Sequence, residues 1–243
     1  MSRVRTRLWW AAAILGGLLS TAAPARAGPN LLKNSTFGTK SFQYWTYTPL
    51  GTLTSAAVVI QTNNVGNNYP TGAYGEAIPI DPLTTGSPTK ASGYAAYFST
   101  DTGSETLSQS IALAPGSYAI GFDVFVPQNG FGNPKDATLS AQIAGTTVLA
   151  ATSVAAIATS GGVATWLTIS SQAQIASAGT YLVDFTFTGE GIAAKDILVD
   201  RVYLTALSIG SGNSQSVPEP AAAALLGVGA VVLALVRRRR QAR

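Results

Sequence analysis

Cysteine and histidine are both absent from this 243-residue chain, and methionine occurs once. Without cysteine there is no disulfide framework, even in a compartment that would permit one. The two absences together remove Ser-His-Asp and Cys-His catalysis, and zinc sites built on those ligands. Carboxylate chemistry and hard-metal sites remain. Charge is also scarce, at 11% of residues. The formal net charge of +4 is misleading, because nine of the 15 basic residues lie at the ends, in 1–27 and 217–243. Only one of the 11 acidic residues, Glu219, lies with them, so the segment 28–217 holds six basic and ten acidic residues, a net of about −4. With no basic patch to neutralise phosphates, nucleic acid is excluded as an expected partner.

The two ends read as targeting segments. Arg3, Arg5 and Arg7 form a basic n-region, Leu8 to Leu19 an apolar h-region, and Ala25-Arg26-Ala27 an A-x-A cleavage site. This is the pattern of a secretory signal peptide over 1–27, which implies the Sec translocon and signal peptidase as partners. An uncleaved anchor helix is the alternative. Residues 3–5 do not form a twin-arginine pair, which favours Sec.

At the other end, Val217-Pro218-Glu219-Pro220 is followed by the uncharged run Ala221 to Val236 and then Arg237, Arg238, Arg239 and Arg240. As a helix at about 1.5 Å per residue the run reaches roughly 24 Å, short of a roughly 30 Å hydrocarbon core but able to span it with snorkelling and local thinning. The arginines act as a cytoplasmic stop by the positive-inside rule. Ala, Leu, Val and Gly occupy every face, with none of the polar stripe that a packed helix of a soluble domain would show.

These three ordered features resemble the PEP-CTERM sorting domain of exopolysaccharide-producing Gram-negative bacteria. The resemblance implies an exosortase as partner, with Pro218, Glu219 and Pro220 as its substrate motif. It also implies export across the inner membrane, anchoring through the C-terminus, and delivery to the cell surface or extracellular matrix. Residues 217–243 are then the sorting signal, with a transmembrane helix at 221–236, and the Gly/Ser-rich stretch 208–216 is a flexible linker.

Between the ends, residues 28–207 show short alternating runs separated by turn signals, the pattern of an all-β sandwich. In Ser117 to Pro127, Tyr118, Ile120, Phe122 and Val124 share one face, while Asp123 falls on the other. Tyr181, Val183, Phe185 and Phe187 alternate in the same way with Leu182 and Asp184. Period two is what a half-buried strand requires, so Asp123 and Asp184 are expected at the surface. A third clear strand is 197–204. Further strands are expected at 53–61, 92–99, 105–113, 138–143, 146–150 and 165–171. A hairpin turn is expected at Ala144-Gly145; the stretch 154–162 is ambiguous, its alanines allowing a short helix that Gly161-Gly162 would end quickly. The stretch 63–89 holds four prolines and four glycines and is expected to be a long irregular loop.

Three pieces, in this order, resemble the galactose-binding-like jelly rolls of exported bacterial proteins. They are Asn30 to Phe37 followed by Trp45, Pro115 to Asp123, and Asp200-Arg201-Val202-Tyr203-Leu204. The resemblance implies a jelly-roll-like β-sandwich. In such families an acidic residue after the opening motif often lies near a structural calcium. Gly38 stands at that position here, leaving Asp200 as a weak ligand candidate and no assigned metal or cofactor.

Three functions stay open. The reading placed first is a non-enzymatic surface or matrix protein associated with biofilm exopolysaccharide. The alternative is a module that binds exopolysaccharide through aromatic faces, with Trp45, Tyr47, Tyr69, Tyr74, Tyr94, Tyr97 and Trp166 as candidates. Tyr69 and Tyr74 lead, because they lie in the Pro/Gly-rich loop; Trp45 is kept beside them against a core role. The reading placed last is a glycosidase using two of the ten carboxylates, of which no pair stands out by spacing. No catalytic residue is assigned.

Overall fold

A computed structural model describes residues 27–66, 70–82 and 90–207. The signal-peptide segment (Ala27 excepted), the linker, the sorting motif Pro218-Glu219-Pro220, the span 221–236 and Arg237–Arg240 lie outside the described residues, as do Ala25 and Tyr69. Among the described residues no helix is long and apolar enough to cross a membrane.

The chain is all-β. It opens with β1 (Ala27–Asn30), β2 (Thr46–Leu50), β3 (Val58–Gln61), β4 (Val65–Gly66) and β5 (Glu76–Ala77). Then come β6 (Tyr94–Phe98), β7 (Ser104–Leu113), β8 (Gly116–Phe125) and the single turn α1 (Gln128–Phe131). The rest is β9 (Ala137–Ile143), β10 (Thr146–Ser153), α2 (Val154–Gly161), β11 (Trp166–Ile175), β12 (Gly179–Gly189) and β13 (Ile197–Leu207). One sheet runs β11-β8-β13-β6-β3, with β1 also on β13, and the second runs β10-β9-β12-β7-β2. The named strands pair antiparallel throughout. Successive strands cross repeatedly from sheet to sheet, which makes a jelly-roll sandwich.

Alternation supplies the interior. Tyr118, Ile120, Phe122 and Val124 of β8 face Val183, Phe185 and Phe187 of β12 across one core. Phe122 meets Phe185 edge-on at 4.9 Å, and Phe98 lies 5.7 Å from Phe187. Ala144 and Gly145 both take positive φ, at 52° and 77°, so the β9–β10 hairpin turns where expected. The stretch 154–162 resolves to a helix because Ser153 caps it by accepting from the amide of Ala156 at 3.1 Å. The outer face of the β12 sheet is a hydroxyl surface, with Ser104 opposite Thr188 and Thr106 opposite Thr186.

Several expectations need correction. The 53–61 strand shortens to four residues, and β1, β2 and α1 were not anticipated. The stretch 63–89 carries the β4–β5 ribbon, and its residues Ala73 and Ile78 cover Ile60, Tyr97, Phe125, Trp166 and Leu198 on the outer face of the β8 sheet. Asp123 is consequently fully buried rather than at the surface.

Candidate functional site

Four inter-sheet connections meet at one end of the sandwich: β2–β3, β6–β7, β8–β9 and β12–β13. Together with Tyr74 they line a cleft of about 310 Å³, formed by Thr54, Ser55, Tyr74, Ser99, Asp101, Asn133, Ala193 and Asp196.

The β2–β3 and β6–β7 loops are zipped together by hydroxyls. Thr54 Oγ1 accepts from the Asp101 amide at 2.6 Å, Thr100 Oγ1 accepts from the Thr54 amide at 3.2 Å, and Ser55 and Ser99 hydroxyls lie 3.1 Å apart. Asp101 in turn ties this pair to the β12–β13 loop, since its Oδ1 accepts from the Ala194 amide at 2.7 Å and its carbonyl from the Gly191 amide at 2.8 Å. Gly189 is what allows the approach. A Cβ there would stand 2.2 Å from the Thr100 carbonyl oxygen.

Asp196 forms the floor. Tyr97 donates its hydroxyl to Asp196 Oδ2 at 2.6 Å, and α1 packs so closely that a Cβ on Gly130 would lie 2.7 Å from the Asp196 Cβ. Burial, and the nearby charge of Asp101, push Asp196 up to about 6 against the Tyr97 hydrogen bond, which pulls it down. Asn133 donates to the Ala194 carbonyl at 2.5 Å. Tyr74 stands at the lip with 64% of its surface exposed. Its loop is fastened to α1 by Glu76, whose carboxylate accepts from the Gln128 and Asn129 amides at 3.0 and 2.9 Å, and by Asn129 donating to the Tyr74 carbonyl at 3.2 Å.

The structure separates the aromatic candidates. Trp45 is 7% exposed and packs 5.7 Å from Phe37 and 6.1 Å from Phe185, with its indole N–H on the Asn34 carbonyl, so it belongs to the core. Trp166 and Tyr97 are buried as well. Among the described aromatic candidates, Tyr74 alone lines the cleft. Of the carboxylates, Asp101 and Asp196 converge there. Asn133 and the three hydroxyl residues went unmarked in sequence, because loops far apart in the chain carry no shared periodicity.

Asp200 lies elsewhere, buried on the outer face of the β8 sheet opposite Asp123. A bulge in β13 puts Arg201 at φ 47° and aims it at Asp81, Asp123 and the Pro82 carbonyl. These residues do not fit a calcium ion. The guanidinium supplies the positive charge amid Asp81 and Asp123, and among the described residues no three acidic groups are arranged to hold a metal.

No family model matches the chain, and no curated protein matches it. Solved structures give likenesses of low identity. TmCBM61 in complex with β-1,4-galactotriose has 19% identity and a TM-score of 0.45, covering 74% of this chain and 99% of its own. The xylan-binding CBM22-1 domain from Paenibacillus barcinonensis Xyn10C has 17% identity and a TM-score of 0.40, covering 75% and 97%. The enzymatically active domain of bacteriophage CBA120 tailspike protein 4 has 14% identity and a TM-score of 0.43, covering 73% and 21%. At TM-scores of 0.45 and below these likenesses carry no argument about ligand or reaction.

Proposed function

We propose that the described domain is a non-enzymatic carbohydrate-binding module, taking one sugar residue of a polysaccharide in the loop-end cleft. The observation that carries this reading is the exposed ring of Tyr74 at the lip of a cleft walled by Asp101, Asp196, Asn133 and serine and threonine hydroxyls. An aromatic face beside planar polar groups suits a sugar ring, which offers C–H edges and hydroxyl pairs together. Binding rather than hydrolysis is favoured because each carboxylate has an oxygen already committed, Asp101 to the Ala194 amide and Asp196 to the Tyr97 hydroxyl.

The sequence of the terminal segments supports an exported, membrane-anchored location for this module. In this reading the 1–27 signal directs Sec export and the 217–243 tail anchors the protein in the inner membrane. An exosortase then processes the tail at Pro218-Glu219-Pro220, delivering the module to the cell surface or matrix, where exopolysaccharide is its ligand. Affinity electrophoresis of the full chain through gels cast with the host's exopolysaccharide tests the binding. Retardation that Tyr74→Ala abolishes is the expected result; equal mobility with and without the polymer would sink the reading.

A further inference from the structure

Among the described residues, the cleft is lined by two carboxylates and no cation. The nearest lysine in sequence, Lys195, is turned away: its Nζ donates to the Phe131 and Asn133 carbonyls at 2.8 and 2.6 Å and sits 4.9 Å from the centre of the Phe131 ring. Lys135 packs its stem near Gly191 and does not line the cleft. Asp196 is 7% exposed, yet its carboxylate has one hydrogen bond among the described residues, at Oδ2 from Tyr97, leaving Oδ1 without one. Asp101 likewise spends Oδ1 on the Ala194 amide and leaves Oδ2 without a hydrogen bond. Neither of these two oxygens is among the fully buried polar atoms that lack a partner, so both open onto the cleft, where a ligand can reach them with a donor.

A metal ion is a poor candidate for that donor. Calcium takes roughly six to eight oxygens, and two carboxylates with scattered hydroxyls fall short of that. A uronate or sulfated sugar would add a third negative charge beside the two carboxylates. An ammonium group supplies both the charge and three donors in one compact group.

We propose that the sugar residue taken by this cleft carries a free amino group, a hexosamine unit whose ammonium sits between Asp101 and Asp196. The inference rests on the cleft being the sugar site, and it narrows the ligand from polysaccharide in general to amine-bearing polymers. Tyr74 then covers a face of the ring, and Asn133, Ser55 and Ser99 meet its hydroxyls. An ammonium would also hold Asp196 in the ionised form that burial and Asp101 otherwise disfavour.

The test is titration calorimetry on the full-length chain in detergent, with a glucosamine tetrasaccharide and its fully N-acetylated counterpart. The free amine is expected to bind at least about tenfold more tightly, a difference of about 1.4 kcal/mol. Asp101→Asn and Asp196→Asn should each erase most of that preference. Both are isosteric, and far-ultraviolet circular dichroism checks that they fold. Asp184→Asn, on the outer face of the other sheet, should leave it intact; an equal loss there would mean nonspecific attraction of a cation and overturn the proposal. Equal or tighter binding of the acetylated sugar, still sensitive to Tyr74→Ala, would overturn the amine inference while leaving the cleft as the sugar site. Binding of either sugar that ignores Tyr74 and both cleft carboxylates would overturn the cleft reading itself.

Discussion

Arg201 Nη1 lies 3.2 Å from Asp123 Oδ2, with both side chains fully buried beneath the segment that carries Asp81. The guanidinium belongs to a bulged strand of the sheet, while Asp81 at 3.3 Å and the Pro82 carbonyl belong to the covering segment. The contact therefore fastens the cover to the sandwich. Removing one partner of a buried ion pair strands the other in a low dielectric, at a cost of about 3–5 kcal/mol. Arg201→Met is expected to lower the unfolding free energy by about that amount in urea titrations. A loss under about 1 kcal/mol, the range of exposed pairs, would show the pair is not acting as a buried one.

The same cluster sets a pH dependence. Burial first, then a hydrogen bond with Asp123, pushes Asp81 up to about 8, against the pull of Arg201. An ordinary aspartate titrates near about 4. The native state thus keeps a proton that the unfolded chain gives up above about pH 4, so this contribution is complete below that value and is lost as pH climbs toward 8. Asp196 has the same sign, its window closing near 6, and burial raises Glu105 and Asp200 as well. The melting temperature is expected to be higher near about pH 4.5 than near about pH 8. A rise across that interval would contradict the assignment.

Trp45 and Tyr74 are expected to give opposite phenotypes. Trp45→Ala empties core volume beside Phe37 and Phe185 and should cost about 3–5 kcal/mol of stability, with sugar affinity intact in the folded fraction. Tyr74→Ala removes an exposed ring and should leave stability within about 0.5 kcal/mol while weakening binding. Melting curves and calorimetry on the two variants separate the roles; matched losses in both would undo the distinction.

What sequence could and could not say follows from range. Strands such as Ser117 to Phe125 announce themselves because one face must be apolar at period two, and the hairpin at Ala144-Gly145 because its turn needs positive φ. Asp123 misled for the same reason. Alternation tells which face a residue is on, but not that Ala73 and Ile78 will cover that face. Trp45 and Tyr74 are equally aromatic in sequence, and only packing divides them. The cleft residues Asp101, Asn133 and Asp196 come from three loops whose meeting is a property of jelly-roll connectivity, which no local pattern encodes.

Gly189 offers a way to perturb the cleft without touching its lining. It ends β12, and a Cβ there would fall 2.2 Å from the Thr100 carbonyl oxygen and 2.5 Å from that of Asp101. Backbone cannot yield as a flexible side chain would, so the 99–103 loop must lift. Lifting it moves Asp101 off the Ala194 amide and breaks the contact between the Thr54 hydroxyl and the Asp101 amide. Gly189→Ala is therefore expected to weaken sugar binding by about tenfold or more, although the residue lines no part of the cleft. The stability loss should stay near about 1–3 kcal/mol, typical of overpacking. Amide exchange would locate the damage, with faster exchange at Asp101 and Ala194 and unchanged protection in β8. Native affinity in this variant would mean that the loop's closed position is not required for the site.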